Sequence, residues 1–285
     1  MKQYTLSVDA NELENLYRVF ENHLVEDDNP HLSFHARYNQ IDVLAYQSGK
    51  VVLQGDEVSQ ALTSIKQHLN RVDYAAIGSD EVGTGDVFGP MVVCSVYVSV
   101  EDIAYLEAMN IRDSKNMKDD QIVRVAPKMA KRLIHSLLIL NPKKFNSLVD
   151  QGVNMNKMKA LLHNQAIIKT TSKISENVPV ILDQFCTPQL YFNYLKDETL
   201  IYRDIDFRVR AESVHVSVAA ASIIARYAFL VKMNEYSAKL NVRLLKGAGK
   251  DVDRQIELIH QNKGIETLKL IAKMNFKNIT RVINP

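Results

Sequence analysis

The chain has 285 residues, 46% hydrophobic and 24% charged, with a formal net charge of +2. This is the composition of an ordinary globular protein, long enough for one large domain or two unequal ones. The charge is unevenly divided: residues 1–71 carry 6 Lys/Arg and 10 Asp/Glu, a net of −4, while residues 72–285 carry 29 and 23, a net of +6. The second part therefore favours a polyanionic substrate. Cys94 and Cys186 are the only cysteines, too few and too far apart for a disulfide framework or a zinc site, and they read as buried, reduced, structural thiols. The N-terminus lacks an apolar signal-peptide core, and no 18-residue apolar run marks a membrane span, so the default location is the cytoplasm.

The first 70 residues predict a small α+β domain. Gln3–Val8 alternates as a strand, and Asp9 or Asn11 caps a helix running to about Leu24. Strands follow at His31–Tyr38, Ile41–Tyr46 and Lys50–Gln54, the last two joined by a Ser48-Gly49 turn. Glu57–Leu69 is amphipathic. The second domain, residues 71–285, alternates strands and helices, the pattern of an α/β domain with a mixed or parallel sheet. Strands are expected at Ala75–Ile77, Met91–Val100 and Val178–Leu182. Helices are expected at Ile103–Met109, Asp119–Leu137, Met155–Glu176 and about His215–Leu240, and Ile265–Ile283 reads as a last helix and loop.

The chemistry concentrates in Tyr74–Pro90, YAAIGSDEVGTGDVFGP. An apolar strand ends in Asp80 and Glu81, followed at once by Gly83-Thr84-Gly85. Neighbouring residues of a regular strand point to opposite faces, so for both acids to reach one metal the strand must end or bulge there. The glycines offer exposed N–H groups to phosphate or sugar oxygens, although they complete no known phosphate-loop or dinucleotide fingerprint. Asp183 ends a second buried strand, and open α/β sheets bind ligands at the carboxyl ends of strands. Glu212 precedes Val214–Leu230, an Ala-rich segment apolar nearly all round, where the helix dipole favours an acid. His215 reads as a satisfied structural histidine. Asp113-Ser114-Lys115 is a polar loop able to touch phosphate. Asn154, Asn156, Lys157, Lys159, His163 and Asn164, and the basic loop Lys246-Gly247-Ala248-Gly249-Lys250, read as solvated surface features.

Together these segments resemble a known family. Gly78–Pro90, Asp113-Ser114-Lys115, Leu182-Asp183, Ser217–Arg226 and Lys246–Lys250 are similar, in content and order, to the signature of the type 2 ribonucleases H in their bacterial ribonuclease HIII form. The similarity runs from about Ile77 to Asn278. It implies an RNase H-like catalytic domain with a mixed sheet and flanking helices, and hydrolysis of the RNA strand of RNA–DNA hybrids. It also implies four acidic catalytic and metal-binding positions, Asp80, Glu81, Asp183 and Glu212. The first domain resembles the family's TATA-box-binding-protein-like extension, which helps bind the duplex.

From these follows an expected two-metal in-line hydrolysis with Mg²⁺ or Mn²⁺, because the ligands are hard oxygens. In that hypothesis Asp80 would bridge both ions, and the products would carry 5′-phosphate and 3′-hydroxyl ends. Substrate binding is assigned to Gly83, Thr84 and Gly85, which read the RNA 2′-hydroxyl, and to Asp113, Ser114 and Lys115. The expected partner is the RNA–DNA hybrid, bound by a monomer without membrane or obligate protein partner. Two alternatives remain: ribonuclease HII-like cutting at single ribonucleotides in DNA, and a non-catalytic nucleic-acid-binding protein.

Overall fold

The computed structural model describes residues 2–56, 58–69, 73–109, 111 and 117–283. The chain divides into two compact units, residues 1–75 with 99–116 and residues 76–98 with 117–285. The Asp113-Ser114-Lys115 loop lies outside the described residues.

The first unit contains β1 (Lys2–Ser7), α1 (Ala10–Phe20), β2 (Leu32–Tyr38), β3 (Ile41–Tyr46), β4 (Lys50–Gly55), α2 (Val58–His68) and α3 (Val100–Ala108). Its strands form an antiparallel sheet in the order β1-β4-β3-β2. Period-two alternation turns Tyr4, Leu6, Ile41, Val43, Val51 and Leu53 into one core with Leu16, Phe20 and Ile65 of the helices. Asp9 caps α1 through a reciprocal pair of bonds: Glu12 N–H donates to its side chain, and the Glu12 carboxylate accepts from Asp9 N–H. Helix α3 joins this unit through Glu107, which is almost fully buried. Its carboxylate accepts from Tyr4 Oη at 3.1 Å and from Lys66 Nζ at 2.7 Å. The sequence pattern had placed this helix in the second region, because a buried ion pair between residues 41 positions apart leaves no local trace.

The second unit holds the mixed five-stranded sheet in the order β7-β6-β5-β8-β9. Its strands are β5 (Ala76–Val82), β6 (Met91–Val98), β7 (His135–Leu140), β8 (Val180–Asp183) and β9 (Ile205–Arg208). Pairing is antiparallel from β7 through β5 and parallel from β5 through β9. The helices are α4 (Asp119–Arg132), α5 (Pro142–Asp150), α6 (Met155–Thr171), α7 (Pro188–Tyr194), α8 (Val216–Leu240), α9 (Lys250–Ile271, broken at Gly264) and α10 (Lys277–Ile283). Helix α8 packs along β5 and β6, with α4 against it, while α6 packs on β5, β6 and β7.

Three expectations change here. The helix expected over Asp119–Leu137 stops at Arg132, and β7 begins three residues later. Ile122, Ala126, Met129, Leu133 and Leu137 keep a helical period, but the edge of β6 captures the last turn as a strand. Helix α8 is long and apolar enough to cross a membrane, yet 67% of its most apolar window is buried inside the protein, as expected of a core helix. Cys94 is buried as expected, but Cys186 is partly exposed.

Candidate active site

Strand β5 carries the acidic pair, and it does not bulge. Asp80 pairs with Cys94 and Glu81 with Val93 in unbroken register, and the strand continues to Val82. The expectation that the strand ends or bulges at the pair is therefore wrong, and the two carboxylates leave opposite faces. Gly78 and Asp80 face α8: a Cβ on Gly78 would lie 2.3 Å from the Ser217 carbonyl carbon, and Ser222 hydrogen-bonds Asp80. Ser79 and Glu81 face α6, each within 2.9 Å of a nitrogen of His163.

The second strand-end acid arrives as its position suggested. Strands β5 and β8 are parallel neighbours with Ser79 opposite Leu182, which sets Asp183 one step on, level with Asp80 and on the same face. Ala211 N–H donates to Asp183 Oδ1 at 2.9 Å. Ala211 opens a 3-10 turn, Ala211–Ser213, that contains Glu212 and leads into α8. Glu212 is half-buried. Arg210 just before it adopts a left-handed backbone, φ 57°, which aims the turn back at β8.

The two faces treat their acids differently. Around Asp80, burial, then the Glu81 charge, with Asp183 adding to it, raise the carboxyl to a pKa of about 8, although Ser222 and the Glu81 N–H donate to it. Glu81 is also buried, which alone would raise it, but His163 and Lys159 outweigh burial and hold it below the usual carboxylate range. Lys159 pairs with one Glu81 oxygen and sits 3.9 Å over the Phe185 ring, and His163 stacks on the same ring.

Several residues read as surface features are not. Lys159, His163 and Asn164 are buried, and Asn164 ties the Leu200–Tyr202 segment through bonds to Leu200 O and from Tyr202 N. Lys159 and His163 stand four apart on α6, the spacing that lets two side chains reach one point, and that was the available signal. The basic loop is pinned as well: Gly247 N–H donates to Asp86 Oδ1, and Lys246 pairs with Asp119. His215 is structural as expected, its Nδ1 accepting from Ser217 N–H to cap α8.

The glycine turn has a backbone reason. Gly83 has φ +92°, and a Cβ there would lie 2.1 Å from the Pro90 carbonyl oxygen. Gly85 is exposed with nothing within 4 Å of such a Cβ, so space stands open beside it. Among the described residues, no three His, Cys, Asp or Glu side chains already form a metal cluster. The donors of Asp80, Asp183, Glu212 and Glu81 are nonetheless all hard oxygens. Burial first, then the Glu81 and Asp183 charges, make an ionised Asp80 costly, and a divalent cation would offset that cost, so the set fits Mg²⁺ or Mn²⁺ in kind.

Family models match both parts of the chain: ribonuclease HII over residues 77–279, and a domain of unknown function (DUF3378) over residues 3–70. The ribonuclease HIII of Phytoplasma mali is 47% identical, covering 99% of this chain and 98% of that protein. The chain belongs to the ribonuclease HIII family. The ribonuclease HIII of Bacillus pumilus is 36% identical over 98% of this chain and 97% of its own. A solved structure titled Bst-RNase HIII in complex with Mn²⁺ is 35% identical, with a TM-score of 0.76, covering 99% of this chain and 98% of that one. The expected fold, an RNase H-like mixed sheet with flanking helices preceded by a small α+β unit, is the fold found.

Proposed function

We propose that the chain is an endonuclease that hydrolyses the RNA strand of RNA–DNA hybrids, with Asp80, Glu81, Asp183 and Glu212 holding Mg²⁺ or Mn²⁺, Glu81 joining the set from the opposite face of β5 by giving up Lys159 or His163 for the ion. The observation that carries this reading is the pairing of Asp80 and Asp183, level on adjacent parallel strands near their carboxyl ends and facing α8 together. Divalent ions held by these carboxylates would supply an activated water and neutralise charge at the leaving 3′ oxygen.

The chain's own residues set up that chemistry. Asp80 and Asp183 would hold the cation from the α8 face. Ser222 and Glu81 N–H fix the Asp80 carboxylate, and Ala211 N–H fixes Asp183. Lys159 and His163 keep Glu81 ionised before any cation arrives. Gly83, Thr84 and Gly85 bring bare backbone beside the acids, where a 2′-hydroxyl separates RNA from DNA. The proposed roles of Asp113, Ser114 and Lys115 in holding phosphate rest on the sequence resemblance.

Cleavage of a labelled RNA–DNA hybrid to 5′-phosphate and 3′-hydroxyl products, abolished by EDTA and restored by Mg²⁺ or Mn²⁺, is the expected result. Binding without cleavage under all metal conditions overturns the reading in favour of a non-catalytic binding protein. A duplex with one ribonucleotide in DNA should be a poor substrate; efficient cutting there favours the ribonuclease HII-like alternative. The first unit is proposed to bind the duplex, so removing residues 1–70 should raise KM far more than it lowers kcat.

A further inference from the structure

Lys273 is a fully buried lysine. Its ammonium donates to two backbone carbonyl oxygens, Asp86 O and Gly89 O, each at 2.7 Å. Burial drives its pKa down to about 7, opposed by the Asp86 charge. An amine in that position is costly to keep, and an apolar side chain would fill the space without the cost. What the ammonium does is gather two carbonyls of one loop.

That loop is the exit of the glycine turn. Residues 86–89 follow directly on Gly83-Thr84-Gly85 and precede β6. Lys273 N–H also donates to Val87 O at 2.8 Å, and Gly89 N–H donates to Ile271 O at 2.8 Å. Phe88 and Ala272 form an isolated antiparallel bridge. On its other side the loop is held by Gly247, whose carbonyl accepts from Val87 N–H at 3.0 Å and whose N–H donates to Asp86. The strap bearing Lys273 is anchored in turn by Asn146 of α5, which donates to Lys269 O and Ala272 O and accepts from Met274 N–H.

We propose that Lys273 is a positioning residue for ribose recognition, holding the loop after the glycine turn in the one shape that presents Gly83–Gly85 to the RNA strand. The inference rests on the function proposed above. Both Gly83 and Gly89 have positive φ and are closely packed, so the turn requires glycine at each end. The clamp holds the loop that joins these two glycines.

The test compares binding of an RNA–DNA hybrid with a DNA duplex of the same sequence, in Mg²⁺, on an Asp80→Asn background that prevents cleavage. Adding Lys273→Met should lower the preference for hybrid by about tenfold, a change of ~1.4 kcal/mol, with DNA-duplex affinity within about twofold. If both affinities fall together, or the preference is unchanged, Lys273 is only a structural prop and the proposal fails. Asn146→Ala loosens the same strap from a half-exposed site. It should shift the preference in the same direction by a smaller factor, and it decides the matter if Lys273→Met does not fold. A wild-type protein that cleaves no hybrid sinks the proposed function instead. A wild type that cleaves, whose Asp80→Asn form shows no preference, sinks the ribose-recognition inference alone.

Discussion

The two faces of β5 carry adjacent acids into opposite environments. On the α8 side, Asp80 meets another carboxylate, a serine hydroxyl and a close-packed helix, and it holds its proton to about pH 8. On the α6 side, Glu81 meets a lysine and a histidine and stays ionised. One face therefore stores an unmet demand for positive charge, while the other meets that demand with side chains. The lesson is that a pair of neighbouring acids is not one site by adjacency. A single strand can present one acid beside other carboxylates and a second held by a lysine and a histidine.

The largest expected effect is on the unmet side. Asp80→Asn should reduce hybrid cleavage by at least about a thousandfold, ~4 kcal/mol of transition-state stabilisation, while hybrid affinity stays within about tenfold. Steady-state cleavage and equilibrium binding read the two numbers, and retained cleavage would remove Asp80 from the chemistry. Next comes the closeness of α8. Gly78→Ala puts a methyl group 2.3 Å from the helix backbone, so denaturant unfolding should show a loss of about 3 kcal/mol. An unchanged midpoint would mean that the α8 face is looser than it looks.

On the supplied side, His163→Ala leaves Ser79 and Glu81 without a shared partner and should cost about 2 kcal/mol of stability. It should also weaken cleavage less than Asp80→Asn does. A larger activity loss than Asp80→Asn would invert the comparison between the faces. A last test is a slope. Without divalent metal, folded Asp80 keeps its proton to about pH 8, whereas the unfolded chain releases it near 3.8. Between those values the folded state binds more protons, so stability falls as pH rises. Chemical denaturation in EDTA from pH 5 to 8 should show this decline in the wild type and a flatter profile in Asp80→Asn. Identical slopes would show that Asp80 ionises normally.

Much of the chain was legible locally. The capping box at Asp9, the Ser48-Gly49 turn, the strands of the first unit and the limits of α8 each depend on residues within a few positions of one another. The acids Asp80, Asp183 and Glu212, near strand ends or a helix start, stood out for the same reason. Strand β7 was not, because its apolar residues continue the helical period of α4 and only pairing with β6 overrides it. Neither were Lys159 and His163, whose polar character reads as surface until α6 is laid on the sheet.

The sequence by itself determined the chemistry on offer: carboxylates, no thiolate pair, and a glycine turn next to the acids. Tertiary structure alone decided which face each acid serves, that Asp80 and Asp183 stand level, and that a lysine 190 residues beyond Gly83 clamps the glycine loop. The physical reason is range. Residue type and short-range periodicity are written along the chain, whereas burial, register between non-consecutive strands and the proton affinity of a crowded carboxylate exist only once distant segments are packed together.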